Sequence, residues 1–257
     1  ARAVCAGLVL VFPFLRKYWG IMKWFLQKQS YEELSAVYAD IIISCGSSLL
    51  PVHLFLKEET RAKSIVLMNP GMYGVRRFDR VIAPFHDVLP AADNIVSIHG
   101  ALANVTGSTC EVEPGPLRKW DSVKAAGVLI GGDTKGFSLS LEKMEQVLGV
   151  VEESMKKTQG ELFITTSRRT PVAIDDFIEK KCKQLSFCRL FIIARKNIRP
   201  RVVGEILAQS GVVIVTSESI SMISEAASSG KTVIVVDAGQ KDSKLSFRHD
   251  RFLSRMR

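Results

Sequence analysis

The chain has 257 residues, 47% hydrophobic and 24% charged, which excludes a mainly disordered or fibrous polymer and allows one large domain or two moderate ones. Its formal net charge of +9 suits an anionic partner (nucleotide, phosphorylated substrate, nucleic acid or anionic lipid), and it also suits a soluble protein with local basic patches. Five cysteines without a C-x-x-C pair exclude a disulfide framework and a zinc knuckle and fit a reducing, cytoplasmic setting; His53, His86, His99 and His249 lack metal-ligand spacing, so no metal is expected.

The chain opens at Ala1 with the apolar run "AVCAGLVLVFPFL", too short to span a bilayer and broken by Pro13. "RKYWGIMKWFLQK" follows. Its mixture of basic and aromatic residues fits either a membrane interface or an amphipathic helix laid on a core, the commoner use.

Nine short apolar runs rich in β-branched residues come next. They cover residues 40–44, 64–68, 80–83, 94–98, 127–130, 162–164, 190–193, 211–215 and 232–236. Such runs read as strands buried on both faces, hence parallel. Helical patterns lie between many of them, at Leu49–Glu58, Leu141–Lys156, Val172–Leu185, Arg201–Gln209 and Ile220–Ser228. The alternation predicts an α/β fold of doubly wound parallel sheets. "TGSTCEVEPGPLRKW", Thr106 to Trp120, is rich in glycine and proline and is the linker candidate. It divides the chain into domains 1–115 and 116–257. Each is expected to be Rossmann-like, the first incomplete at its start and the second truncated at its end.

Three strand-to-helix junctions in the second half carry chemistry. "LFITTSRRTP" turns from a buried strand to Thr165, Thr166, Ser167, Arg168 and Arg169, and Thr170 is the expected N-cap before Pro171. Hydroxyls, guanidinium groups and a helix N-terminus suit a phosphate-like anion; the alternative is a solvated corner. "VLIGGDTKG" places Gly131 and Gly132 where a strand ends, either for close approach to a ligand or for a tight turn. "VTSESISMISEAASSG" leads into a helix closed by Gly230. Its spacing puts Ser221, Ser224, Glu225 and Ser228 on one side and Ile220, Ile223 and Ala227 on the other. Glu225 there either accepts from a ribose diol or complements the helix dipole.

In the first half, "IAPFHD" offers His86 beside Asp87 as an acid/base candidate, and His99 follows the next strand. "SCGSS" is only superficially like a nucleophile elbow, and no partner histidine is indicated for Cys45.

Together "ITTSRRTP", the "LIGG" turn, the "HD" at Asp87, "HGALANV" and "VTSESISMISEAASSGKTVIV" resemble the mitochondrial-fission ELM family, over roughly Asp40 to Ala238. That family is similar to B-type glycosyltransferases, with two Rossmann-like domains facing across a cleft. The resemblance implies a nucleotide-sugar donor as co-substrate, with no separate cofactor. It places Gly131, Gly132, Thr165, Thr166, Ser167, Arg168 and Arg169 near the donor diphosphate, and Ser217, Ser219 and Glu225 near phosphate or ribose. His86, Asp87 and His99 would face from the acceptor-side domain. The expected activity is hexosyl transfer to a cell-envelope glycolipid or polysaccharide, in the cytoplasm or peripherally on the inner face of a membrane, with no nucleic acid as partner. Two rival classes remain: a non-catalytic, membrane-associated interaction protein of the fission type, and a nucleotide-sugar epimerase. Two departures stand out. Glu218 precedes Ser219 where the family usually has Asp, and Asp133-Thr134 follows the glycines, bringing negative charge to the turn.

Overall fold

The structure is a computed structural model, and it describes residues 19–102, 124–237, 239–241 and 247–255. The first apolar run and the linker candidate lie outside these residues. Contacts divide the chain into two units, Ala1–His99 and Gly100–Arg257.

The first unit holds a parallel four-stranded sheet in chain order: β1 (Ile41–Cys45), β2 (Lys63–Leu67), β3 (Arg80–Pro84) and β4 (Ile95–Ile98). The 3-10 turn Trp19–Trp24 and α1 (Lys28–Ser35) precede it, and α2 (Leu50–Thr60) joins β1 to β2. Met22 is fully buried with Leu50, Leu54, Phe55, Val66 and Val81, and Ile21, Phe25 and Leu26 pack beside it. The basic, aromatic stretch therefore lies partly on its own core as a 3-10 turn, while Trp24 projects outward, 85% exposed.

Two polar devices fasten this sheet. Asp79 accepts from both the N–H and the hydroxyl of Ser64 and sits 3.1 Å from Lys57. The Ser64 N–H, chiefly, holds its carboxyl well below the usual carboxylate range. His53 of α2 is buried edge-on against Phe78, with Nδ1 2.6 Å from the Ser44 hydroxyl at the end of β1. The "SCGSS" turn thus has a histidine partner after all, on Ser44 rather than Cys45.

The second unit holds a parallel sheet of five strands, β5 (Ala125–Leu129), β7 (Glu161–Thr165), β8 (Cys188–Ile192), β9 (Val212–Thr216) and β10 (Thr232–Val236). Their order across the sheet is β10-β9-β5-β7-β8. Counted from its first strand, this is the 3-2-1-4-5 order of a doubly wound sheet, read from the other edge. A small antiparallel pair, β6 (Phe137–Leu139) with β11 (Gly239–Lys241), accompanies it. The helices are α3 (Leu141–Thr158), α4 (Val172–Gln184), α5 (Val202–Gln209), α6 (Ile220–Ser228) and α7 (Phe247–Arg255).

Local chemistry explains the boundaries. Ser140 caps α3 by accepting from Lys143 N–H, Lys156 and Lys157 face the dipole at its end, and Met144, Leu148 and Val151 form its buried stripe. One cluster, with Val128, Ile164 and Ile178, lies against α3 and α4; a second, with Phe163, Ile206, Val213 and Ile223, lies against α5 and α6.

All nine predicted strands are present and parallel. Burial on both faces holds for β5 but not for β1 or β10, where Ile43 is 61% and Ile234 48% exposed. Each of these two is an end strand of its sheet among the described residues. The expected helix at 201 starts one residue later.

Burial, reinforced by repulsion from Lys57 and opposed by Asp79, lowers the His53 pKa from 6.5 to about 4. The unfolded chain takes up this proton at a higher pH than the folded chain, so stability falls as pH drops through that window. Wild type is expected to lose about 2–3 kcal/mol more between pH 6.5 and 4 than His53→Gln, by urea unfolding followed at each pH.

Candidate functional site

The carboxyl ends of β5, β7, β8 and β9 each run into a polar turn, and the candidate site is built from these four turns. The β7 turn is fastened by its own side chains. Ser167 carbonyl accepts from Thr170 N–H, Thr170 hydroxyl accepts from Ser167 N–H, and Ser167 hydroxyl accepts from Arg169 N–H. The Thr170 hydroxyl also donates to Gly131 carbonyl. Thr170 is therefore fully buried and serves the turn; Pro171, not Thr170, is the residue capping α4. Arg168 and Arg169 stand exposed at the tip of this turn.

The β5 turn lies directly against it. Ile130 N–H donates to Thr165 carbonyl, Gly131 N–H to Thr216 hydroxyl and Asp133 N–H to Arg169 carbonyl. A Cβ on Gly131 would meet Glu218 Oε1 at 1.9 Å, and one on Gly132 would meet Arg169 carbonyl carbon at 2.2 Å. The two glycines are thus required by the protein's own neighbouring turns, and the Gly131 amide is already engaged. The Asp133 carboxylate accepts from Leu139 N–H, which gives its charge a partner inside the fold.

The β9 turn completes the group. Glu218 is 3% exposed, and its carboxyl pKa is raised by burial against hydrogen bonds from its own N–H, Thr216 and Gly132 and the charge of Arg169. Its carbonyl lies 2.6 Å from His249 Nε2, whose ring packs on Phe137 at 4.6 Å. Ser219 caps α6, and Ser217 donates to Asp237. Glu225 is half-buried, and burial raises its pKa. The expected faces of α6 shift: Ser224 is buried, donating to Ile220 carbonyl and accepting from Ala101 N–H, while Ala227 is exposed. A serine can take a core position because the hydroxyl finds both partners.

A cavity of about 600 Å³ opens beside the β7 turn. Thr166, Ser167, Arg168 and Arg169 form one wall, Asn197 and Arg199 another, and Ile192, Val202 and Val203 supply apolar surface. The "ARKNIRP" segment was missed in the sequence. It carries the same signal as "LFITTSRRTP", an apolar strand giving way to clustered basic residues. Arg195 joins the two loops: it donates to Thr170 carbonyl and pairs with Asp175 at 3.3 Å.

In the first unit, considered by itself, His86 and Asp87 follow β3 and are buried, and His99 follows β4 and is exposed. Phe85 lies between the two imidazoles, 5.8 Å from His86 and 5.6 Å from His99. The three predicted residues therefore share the carboxyl end of one sheet. Among the described residues no group of three or more His, Cys, Asp or Glu could hold a metal ion.

The doubly wound sheet, with hydroxyls, arginines and a capped helix gathered at its carboxyl edge, places the second unit in the Rossmann-like class of α/β folds. The chain belongs to the mitochondrial fission ELM1 family, whose model matches residues 9–257. It is 24% identical over 230 residues to the uncharacterized protein RP120 of Rickettsia prowazekii (strain Madrid E), covering 76% of this chain and 64% of that protein. The chain thus spans less than two thirds of that relative's length. Among solved structures it resembles TarM with a TM-score of 0.42 and 14% identity, over 93% of this chain and 50% of that one.

Thr170→Val keeps the shape but leaves Gly131 carbonyl and Ser167 N–H without their partner. It is expected to lower stability by about 1–3 kcal/mol in chemical denaturation.

Proposed function

We propose that the protein is a metal-independent glycosyltransferase that takes a nucleotide sugar in its second unit. The observation carrying this reading is the 600 Å³ cavity, whose wall carries exposed Arg168 and Arg169 beside Ser167 and Thr166. Its size falls in the range of about 300–1,000 Å³ usual for small-ligand pockets. The family membership and the doubly wound strand order support the same reading.

In this reading Arg168 and Arg169 hold the donor diphosphate, with Thr165, Thr166 and Ser167 lining that wall. Ser217 and Ser219 supply hydroxyls at the neighbouring turn. Glu225 receives the ribose diol; burial has already raised the cost of leaving its carboxylate without donors. Gly131 and Gly132 act indirectly, by letting the β7 and β9 turns close on them. An acceptor hydroxyl attacks the anomeric carbon, its proton passing to a base, and the sugar–phosphate bond breaks with the electron pair leaving on the diphosphate. The arginines stabilise that leaving group, their charge being present before the bond breaks. His99, His86 and Asp87 are the base candidates, with His99 the least buried of them. The acceptor class is a cell-envelope glycolipid or polysaccharide, met in the cytoplasm at the membrane face. No described helix is long and apolar enough to cross a membrane.

Isothermal titration with UDP, GDP and ADP is expected to show binding of at least one. Arg168→Ala combined with Arg169→Ala should weaken it about tenfold or more, as expected when charge-assisted phosphate contacts are lost. Binding of none by the folded protein contradicts the reading, as does binding unchanged in the double variant.

A further inference from the structure

The switch point of a doubly wound sheet lies between its first strand and the strand where the order reverses, here between β5 and β9. Anions are usually received there, on the amides of the first turn and on the next helix's N-terminus. In this chain the place is filled from within. The Glu218 side chain is 3% exposed and accepts from Thr216 hydroxyl at 2.9 Å, and its own N–H, the Arg169 charge and Gly132 N–H favour its ionised form. It lies so close to Gly131 that a Cβ there would be 1.9 Å from Oε1.

We propose that Glu218 is an internal stand-in for a ligand phosphate: its carboxylate occupies the switch-point anion seat and must leave when a diphosphate enters. The proposal rests on the nucleotide reading above for its ligand, but the seat itself is defined by the protein's own geometry. Three features of the carboxylate's surroundings support it.

The groups around the carboxyl are of the kinds a phosphate oxygen would use: the Thr216 hydroxyl at 2.9 Å, and main-chain N–H groups and a guanidinium charge that favour its ionised form. Burial raises its pKa in spite of those partners, so they do not fully offset the cost of an ionised group there, which favours its exchange for solvent when a ligand arrives. The residue is also anchored independently of its side chain, since His249 lies 2.6 Å from its carbonyl and Ser219 caps the helix that follows. The side chain can therefore turn out while the main chain stays.

Arg169 then has two roles in sequence. In the empty protein it offsets Glu218; when a diphosphate displaces that carboxylate, the guanidinium transfers to the ligand. Arg168 stands exposed at the same turn. Glu218 would thereby set a threshold, so that weakly charged anions fail to displace it and diphosphates succeed.

Calorimetry of the whole chain with inorganic pyrophosphate tests this, wild type against Glu218→Gln, with thermal melts to verify folding. The Gln variant is expected to bind about tenfold tighter or more, because a like charge is removed from the seat. If it fails to fold, Glu218→Asp, which withdraws the carboxylate by one methylene, is expected to gain about threefold. Equal or weaker pyrophosphate binding in a folded variant overturns the proposal. The same titrations with UDP and GDP keep the two ideas apart. A gain for pyrophosphate without nucleotide binding supports the stand-in and contradicts the nucleotide reading. Nucleotide binding that is insensitive to Glu218 does the reverse.

Discussion

The second unit depends on one buried constraint, the chain of hydrogen bonds from Gly131 N–H through Thr216 hydroxyl to the Glu218 carboxylate. It ties the turn after β5 to the turn after β9. The Thr170 hydroxyl on Gly131 carbonyl and the Asp133 N–H on Arg169 carbonyl tie the turn after β7 to the same point. Three loops that would otherwise be independent are therefore positioned together. Arg168 and Arg169 take their place at the cavity from that linkage. Two hydrogen atoms, the absent side chains of Gly131 and Gly132, make the approach possible.

The same constraint explains why the glycine turn differs from a ligand cradle of the familiar kind. A backbone that opens its amides to phosphate must leave them free. Here the Gly131 amide is taken by Thr216, and the exposed positive charge is on side chains at the turn tip. In the proposed reading, guanidinium groups and hydroxyls take over work that backbone amides do elsewhere. The Asp133 charge fits this arrangement, since it points its acceptor into the β6 backbone.

Much of the fold was legible in the sequence because parallel strands buried on both faces leave an unmistakable trace. Runs such as "VVIV" at 212–215 have few other uses. What periodicity could not reveal was which strands stand at an edge, and Ile43 and Ile234 look like core residues until the sheet order is known. At the site, the arginines of "TTSRR" were readable from composition alone. The role of Thr170 was not, because a threonine before proline fits an N-cap equally well. Only the approach of the β5 turn reveals that its hydroxyl goes to Gly131. The partnership of Ser44 with His53 was hidden for the same reason: nine residues apart in sequence, they meet only because α2 folds back on β1. Glu218 was visible as a departure from the family pattern, but its position inside the switch point is a tertiary fact.

In the proposed function, the carboxyl edge of the second sheet is an anion site served by Arg168 and Arg169. A crystal structure of the protein with bound UDP or GDP tests it most directly. The account predicts the diphosphate against the guanidinium groups of the Ser167–Thr170 turn, within reach of Ser219, with Glu218 turned away from Gly132. A nucleotide seated elsewhere, with both arginines in solvent and Glu218 unmoved, would contradict it.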